Sequence, residues 1–197
     1  TNIENNSATI NGYLSYDGNS SCDIRFQYCY KNNSFDSYGS STSWQSSIAS
    51  NTEVSSNING LTPGGFYVVR MQMNNSIYYI NTSTNVFLTR PTNTSNIANS
   101  TGSNWINISW VKGSGSNSSV LIRKQGSAPT SISDGTEVYN GTTSYYNDTD
   151  ITGEYYYSVW SWANWSYDST EYNKFSSGYS STSGETSNDA PVFTSEN

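Results

Sequence analysis

The sequence predicts an all-β protein, two tandem antiparallel β-sandwiches over residues 1–90 and 91–188, with residues 189–197 as a linker, a donor strand or the start of another module. Three observations predict it. Short runs rich in Tyr, Val, Ile and Thr alternate apolar with polar residues and are parted by Asn, Gly and Ser clusters, the period-two pattern of half-buried strands. No window sustains a 3.6-residue apolar period, so almost no helix is expected. The length of 197 residues suits two ordinary sandwiches, and 17 Tyr with 6 Trp supply core volume that the sparse aliphatics do not.

In the first half, Ala8 to Leu14 alternates and reads as an early strand. Asp23 to Tyr30 places Ile24, Phe26, Tyr28 and Tyr30 on one face and Asp23, Arg25 and Gln27 on the other. Val54 to Ile58 follows a polar loop, and the segment from Gly60 to Gly65 is a turn. Tyr67, Val69, Met71 and Met73 then share a face, and Val86 to Thr89 closes the half. Arg90-Pro91-Thr92 reads as a linker, because proline cannot donate to a sheet ladder. In the second half, Trp105 to Val111 turns Ile106, Ile108 and Trp110 inward, and Val120 to Lys124 is the next strand. Glu137 to Tyr139 and Ser144 to Tyr146 flank an Asn140-Gly141 turn. Tyr155 to Trp162 is the longest strand, and a last one lies between Lys174 and Thr186.

The stretch from Ile58 to Arg70 resembles the E–F corner of fibronectin type III domains, with Leu61 and Tyr67 at the positions of the corner leucine and the strand-F tyrosine. Ile108-Ser109-Trp110 resembles the strand-B segment with its core tryptophan. The runs Ile122 to Gly126, Asp134 to Thr136, Val138 to Gly141 and Tyr155 to Trp160 look like modules of archaeal and bacterial cell-surface glycoproteins. Ile151-Thr152-Gly153-Glu154 departs from the pattern, being short and lacking the proline of the first corner. The resemblance implies an Ig-like sandwich fold and a scaffold, display or adhesion role outside the cell.

Composition narrows the partners. A net charge of −7, with four Lys and four Arg scattered singly, argues against nucleic acid. No apolar run approaches the ~20 residues of a membrane span. Without a histidine there is no Ser-His or Cys-His nucleophile pair, and no Gly-rich phosphate loop or zinc spacing occurs, so the chain reads as non-catalytic. Acids such as Asp134-Gly135 and Asp148-Thr149-Asp150 read as turn formers, with weak Ca²⁺ binding as the alternative. No cofactor is expected beyond covalent N-glycans.

The sharpest chemical signal is the Asn-x-Ser/Thr acceptor triplet, at Asn5, Asn19, Asn32, Asn74, Asn81, Asn93, Asn99, Asn107, Asn117, Asn140, Asn147 and Asn164. A chain this rich in Ser and Thr would hold about eight by composition alone, so twelve is a modest enrichment. Sugars also fit the scarcity of charge, since they supply solubility by other means. Cys22 and Cys29 flank one predicted strand, about 23 Å apart at strand rise, too far for a bridge between them. Buried free thiols or a bond to another subunit remain. Tyr156, Trp160, Trp162, Trp165 and Tyr167 form the best candidate interface, with Tyr156, Trp160 and Trp162 on the face opposite Tyr155, Tyr157 and Val159. That face would meet protein or glycan, or bind a foreign polysaccharide.

Together these features point to a structural subunit of an extracellular, glycan-coated fibre, stalk or surface layer, whose partners are other copies or neighbouring surface modules. A carbohydrate-binding or adhesion module and a passive spacer in a larger surface protein are the alternatives.

Overall fold

The computed structural model describes residues 2–187, which leaves the expected linker or further strand at 189–197 outside the described residues. The chain divides into two compact units: residues up to Arg90 with Trp165–Lys174, and Pro91–Asn164 with the residues from Phe175 on.

Unit 1 opens with β1 (Ser7–Leu14) and β2 (Cys22–Tyr30), passes a single helical turn α1 (Phe35–Tyr38), and continues through β3 (Ser40–Ser41), β4 (Gln45–Ile48) and β5 (Thr52–Asn59). It ends its first stretch with β6 (Phe66–Asn74), β7 (Tyr79–Asn81) and β8 (Asn85–Leu88). β1 pairs with β5 in one antiparallel sheet. In the other, β2 is flanked by β3 and β4 on one side and β6 on the other, and β6 carries β7 and β8. The alternating residues do what their parity predicts: Ile10 and Leu14, Ile24 and Phe26, Val54 and Ile58 all bury between the sheets with Tyr67 and Val69.

Unit 2 contains β9 (Ser95–Thr101), β10 (Trp105–Val111), β11 (Ser118–Lys124), β12 (Thr136–Gly141), β13 (Tyr145–Thr149), β14 (Glu154–Tyr167), β15 (Thr170–Phe175) and β16 (Ser180–Glu185). The last three residues of β14 and all but the last of β15 fall in unit 1. One sheet runs β9-β10-β13; the other runs β12-β11-β14, with both β15 and β16 pairing to β14. Three strands facing a sheet with β12, β11, β14 and β16 in that order is the fibronectin type III arrangement, and the expected all-β fold of two tandem sandwiches stands. Between these sheets Ile106, Ile108 and Trp110 pack on Leu121, Tyr157 and Val159, and the Trp110 indole donates to Ser119 Oγ at 3.0 Å.

Several details differ from the sequence reading. Asn140-Gly141 is not a turn but the end of β12, with Asn140 opposite Val120. A register shift between Leu121 and Ile122 leaves Val138 as an extra residue in β12, and the connection to β13 runs over residues 142–144. β9, β4 and β7 were not expected; they are edge strands whose mostly exposed residues carry little apolar alternation.

Candidate functional site

The acceptor asparagines are distributed over both units. Nine of the twelve are exposed (Asn19, Asn32, Asn74, Asn81, Asn93, Asn99, Asn117, Asn140, Asn147) and three are half-buried (Asn5, Asn107, Asn164); none is buried. Local structure explains the more informative ones. Asn107 lies between Ile106 and Ile108, both fully buried, so strand parity turns its side chain to the outer face of β10. Its direct cross-strand partner on β13 is Asn147, also on the outer face. Asn19 adopts a positive φ of 64° in the loop after β1, a conformation that asparagine tolerates. Asn117 is built into the fold: its Oδ1 accepts from the Asn164 amide and its Nδ2 donates to the Asn164 carbonyl.

The five aromatic residues are divided between the two units. Tyr156, Trp160 and Trp162 belong to unit 2, whereas Trp165 and Tyr167 belong to unit 1. The expectation that Trp160 lies on the sheet face away from the main core is met, but the expectation of an exposed platform is not. Trp160 is 5% exposed and joins Val120 and Ile122 in a second apolar cluster, with Trp162 and Phe175 packed against it. The Tyr179 ring lies 4.7 Å from that of Trp160, and Phe175 stacks on Trp162 at 5.7 Å. Alternation assigns a face but not what covers it, and here segments distant in sequence cover the outer face. Tyr156 is half-buried, and its hydroxyl is raised in pKa by the neighbouring Glu154 carboxylate.

In unit 1, Trp165 stacks on the fully buried Phe66 with ring centroids 5.7 Å apart, and its indole donates to the Gly64 carbonyl at 3.2 Å. Tyr167 is 37% exposed, and the Lys31 ammonium lies 4.4 Å from its ring centre. Aromatic rings in this set are therefore mostly core and packing elements.

Cys22 and Cys29 end the same strand, β2, as free buried thiols. Their burial matches the free-thiol alternative, and desolvation pushes the Cys29 thiol up in pKa. Asp148, read from sequence as a turn former, is instead a buried strand residue. Arg123 Nη1 lies 2.9 Å from both of its carboxylate oxygens, and Tyr157 Oη donates to Oδ2 at 2.8 Å. Asp134 does serve its turn, accepting from the Thr130 amide and hydroxyl and from Lys124 Nζ; these bonds hold its carboxyl down at about 2. Among the described residues no three His, Cys, Asp or Glu side chains gather as a metal site, and no helix is long and apolar enough to cross a membrane.

No protein-family model and no curated protein matches the sequence. Among solved structures, a two-domain fibronectin type III segment of chicken tenascin is similar at 13% identity, over 94% of this chain and 95% of that one, with a TM-score of 0.48. The FN1–FN3 domains of chicken CNTN1 are 15% identical over 98% of this chain and 66% of theirs, at a TM-score of 0.36. The sensor domain of the anti-sigma factor RsgI4 of Pseudobacteroides cellulosolvens is 24% identical, over 46% of this chain and 86% of that domain, at 0.39. The fold assignment rests on the strand order described above.

Proposed function

We propose that the protein is a non-catalytic structural subunit of an extracellular, N-glycan-coated surface assembly. The observation that carries this reading is that none of the twelve acceptor asparagines is buried. Exposure is common for asparagine, so the strand positions add the weight. Asn107 and Asn147 stand on an outer sheet face, where a bulky sugar leaves the core untouched. The low charge, 12% of residues, supports the same reading, because hydrated sugars take over the solubilising role. Fold alone does not choose among fibre, stalk and surface layer.

Electron microscopy of the native material, with glycopeptide mass spectrometry, tests the proposal. Ordered assemblies with branched density on the acceptor asparagines are expected. Dispersed particles with bare asparagines would overturn it and favour a spacer. The carbohydrate-binding alternative would have to use Trp162, or Trp165 and Tyr167, rather than the buried Trp160.

A further inference from the structure

Beside the separate Tyr13, Tyr16 and Tyr167, one hairpin of unit 1 exposes a run of apolar residues. Ile77, Tyr78, Tyr79 and Ile80, at the β6–β7 connection and the start of β7, are all exposed, from 46% to 66%. Four consecutive exposed apolar residues are unusual unless something covers them. No charged residue occurs between Asn74 and Leu88, and charge borders the hairpin only from β2, where Asp23 lies opposite Asn74 and Arg25 Nε donates to Gln72 Oε1. The hairpin is nonetheless ordered by its own chemistry: Asn75 Oδ1 accepts from the amides of Ile77 and Tyr78, and Asn75 Nδ2 donates to the Asp17 carbonyl at 3.2 Å.

Acceptor asparagines bracket this hairpin, Asn74 at the end of β6 and Asn81 at the end of β7. The register places Asn74 directly opposite Tyr79 and Gln72 opposite Asn81. Directly opposed side chains of an antiparallel pair share a face, with Cβ atoms about 5 Å apart. The first sugar on Asn74 therefore begins beside the ring of Tyr79, which is 55% exposed. A pyranose presents a face of C–H bonds and a rim of hydroxyls, which suits a tyrosine ring bordered by asparagines. Asn81 Oδ1 accepts from Gln72 Nε2 at 2.9 Å, which fixes that amide on the same face. In unit 2 an exposed tyrosine also shares a face with an acceptor asparagine, though along one strand and not across two: Tyr145, 61% exposed, lies two residues before Asn147.

We infer that the exposed ring of Tyr79 is a docking bed for the chain's own glycan on Asn74, making that sugar a packed part of unit 1. The inference rests on the proposed glycosylation. It predicts that Asn74→Gln and Tyr79→Ser each lower the Tm of full-length glycosylated protein by about 2–4 °C. The two substitutions combine to little more than either alone, because each removes the same contact. In protein made without an N-glycosylation pathway, Tyr79→Ser leaves the Tm unchanged. Glycopeptide mapping of the same samples reports occupancy. Sugar on Asn74 with a Tyr79→Ser effect equal in glycosylated and bare protein would overturn the inference alone. A bare Asn74 with sugars elsewhere would also overturn it, and bare asparagines throughout would remove the proposed function as well.

Discussion

The two units close the same corner of the same fold by different chemistry. In unit 1 the segment after β5 carries Pro63, and the Thr62 amide donates to Tyr67 Oη at 2.9 Å, tying the strand-F tyrosine to the backbone five residues earlier. In unit 2 the segment before β14 has no proline, and the corresponding Tyr157 reaches past it. Its hydroxyl donates to Asp148, which Arg123 neutralises from β11. One corner is held by a preset backbone and a neutral hydrogen bond, the other by an ion pair between the buried Asp148 and the half-buried Arg123 that joins the two sheets. The difference teaches that the tyrosine position is the shared requirement, while its partner is free to be backbone or carboxylate, provided no polar group is left unsatisfied.

Removing one charge has the largest expected effect on the second corner. Arg123→Met leaves the Asp148 carboxylate, whose side chain is only 5% exposed, without its cation. A loss of about 3 kcal/mol is expected, confined to unit 2, and urea denaturation with peptide-resolved hydrogen exchange checks both size and location. The tyrosines provide the next test. Tyr157→Phe removes a bond to a charged acceptor and should cost about 2 kcal/mol, against about 1 kcal/mol for Tyr67→Phe. Equal losses would mean that the carboxylate adds nothing to that corner.

Burial, and then the hydrogen bond to Asp148, raise the Tyr157 hydroxyl well above its ordinary pKa. Its folded-state value exceeds the unfolded one, so its contribution is complete below about pH 10 and declines as pH rises beyond that. Alkaline melts should therefore show a decline that Tyr157→Phe reduces. Pro63→Ala should cost unit 1 about 0.5–1 kcal/mol by loosening the unfolded chain, read from the urea midpoint. The smallest effect concerns Asp134, held down at about 2 by Lys124 and Thr130. Its contribution is present above the unfolded value near 4 and is lost as pH falls through about 2. Because the pair is only half-buried and open to solvent screening, Asp134→Asn should barely change an acid titration followed by circular dichroism.

Much of the fold was legible because alternation and burial report the same thing in strands such as β2 and β10. Ile24 and Phe26, or Ile106 and Ile108, declare their faces in the sequence. β9 was not legible, since Ile97 is its one half-buried residue and an edge strand needs no second apolar position. Asp148 was misread because Asp148-Thr149-Asp150 has turn composition, and its partner Arg123 is 25 residues away. The acceptor asparagines were readable as a motif. Their geometry was not, because the register that sets Asn74 against Tyr79 depends on how the hairpin closes.

The outer cluster around Trp160 leaves a mark on β14. From Tyr157 to Ser161 five consecutive residues are buried, the odd ones toward the main core and the even ones toward the other face. An ordinary surface strand tolerates polar replacements at every second position, so a saturation scan of it yields a striped profile. Across residues 157–161 the stripes should merge into an unbroken band of intolerance, with serine admitted only where its hydroxyl has a fixed partner, as Ser158 has in the Pro129 carbonyl.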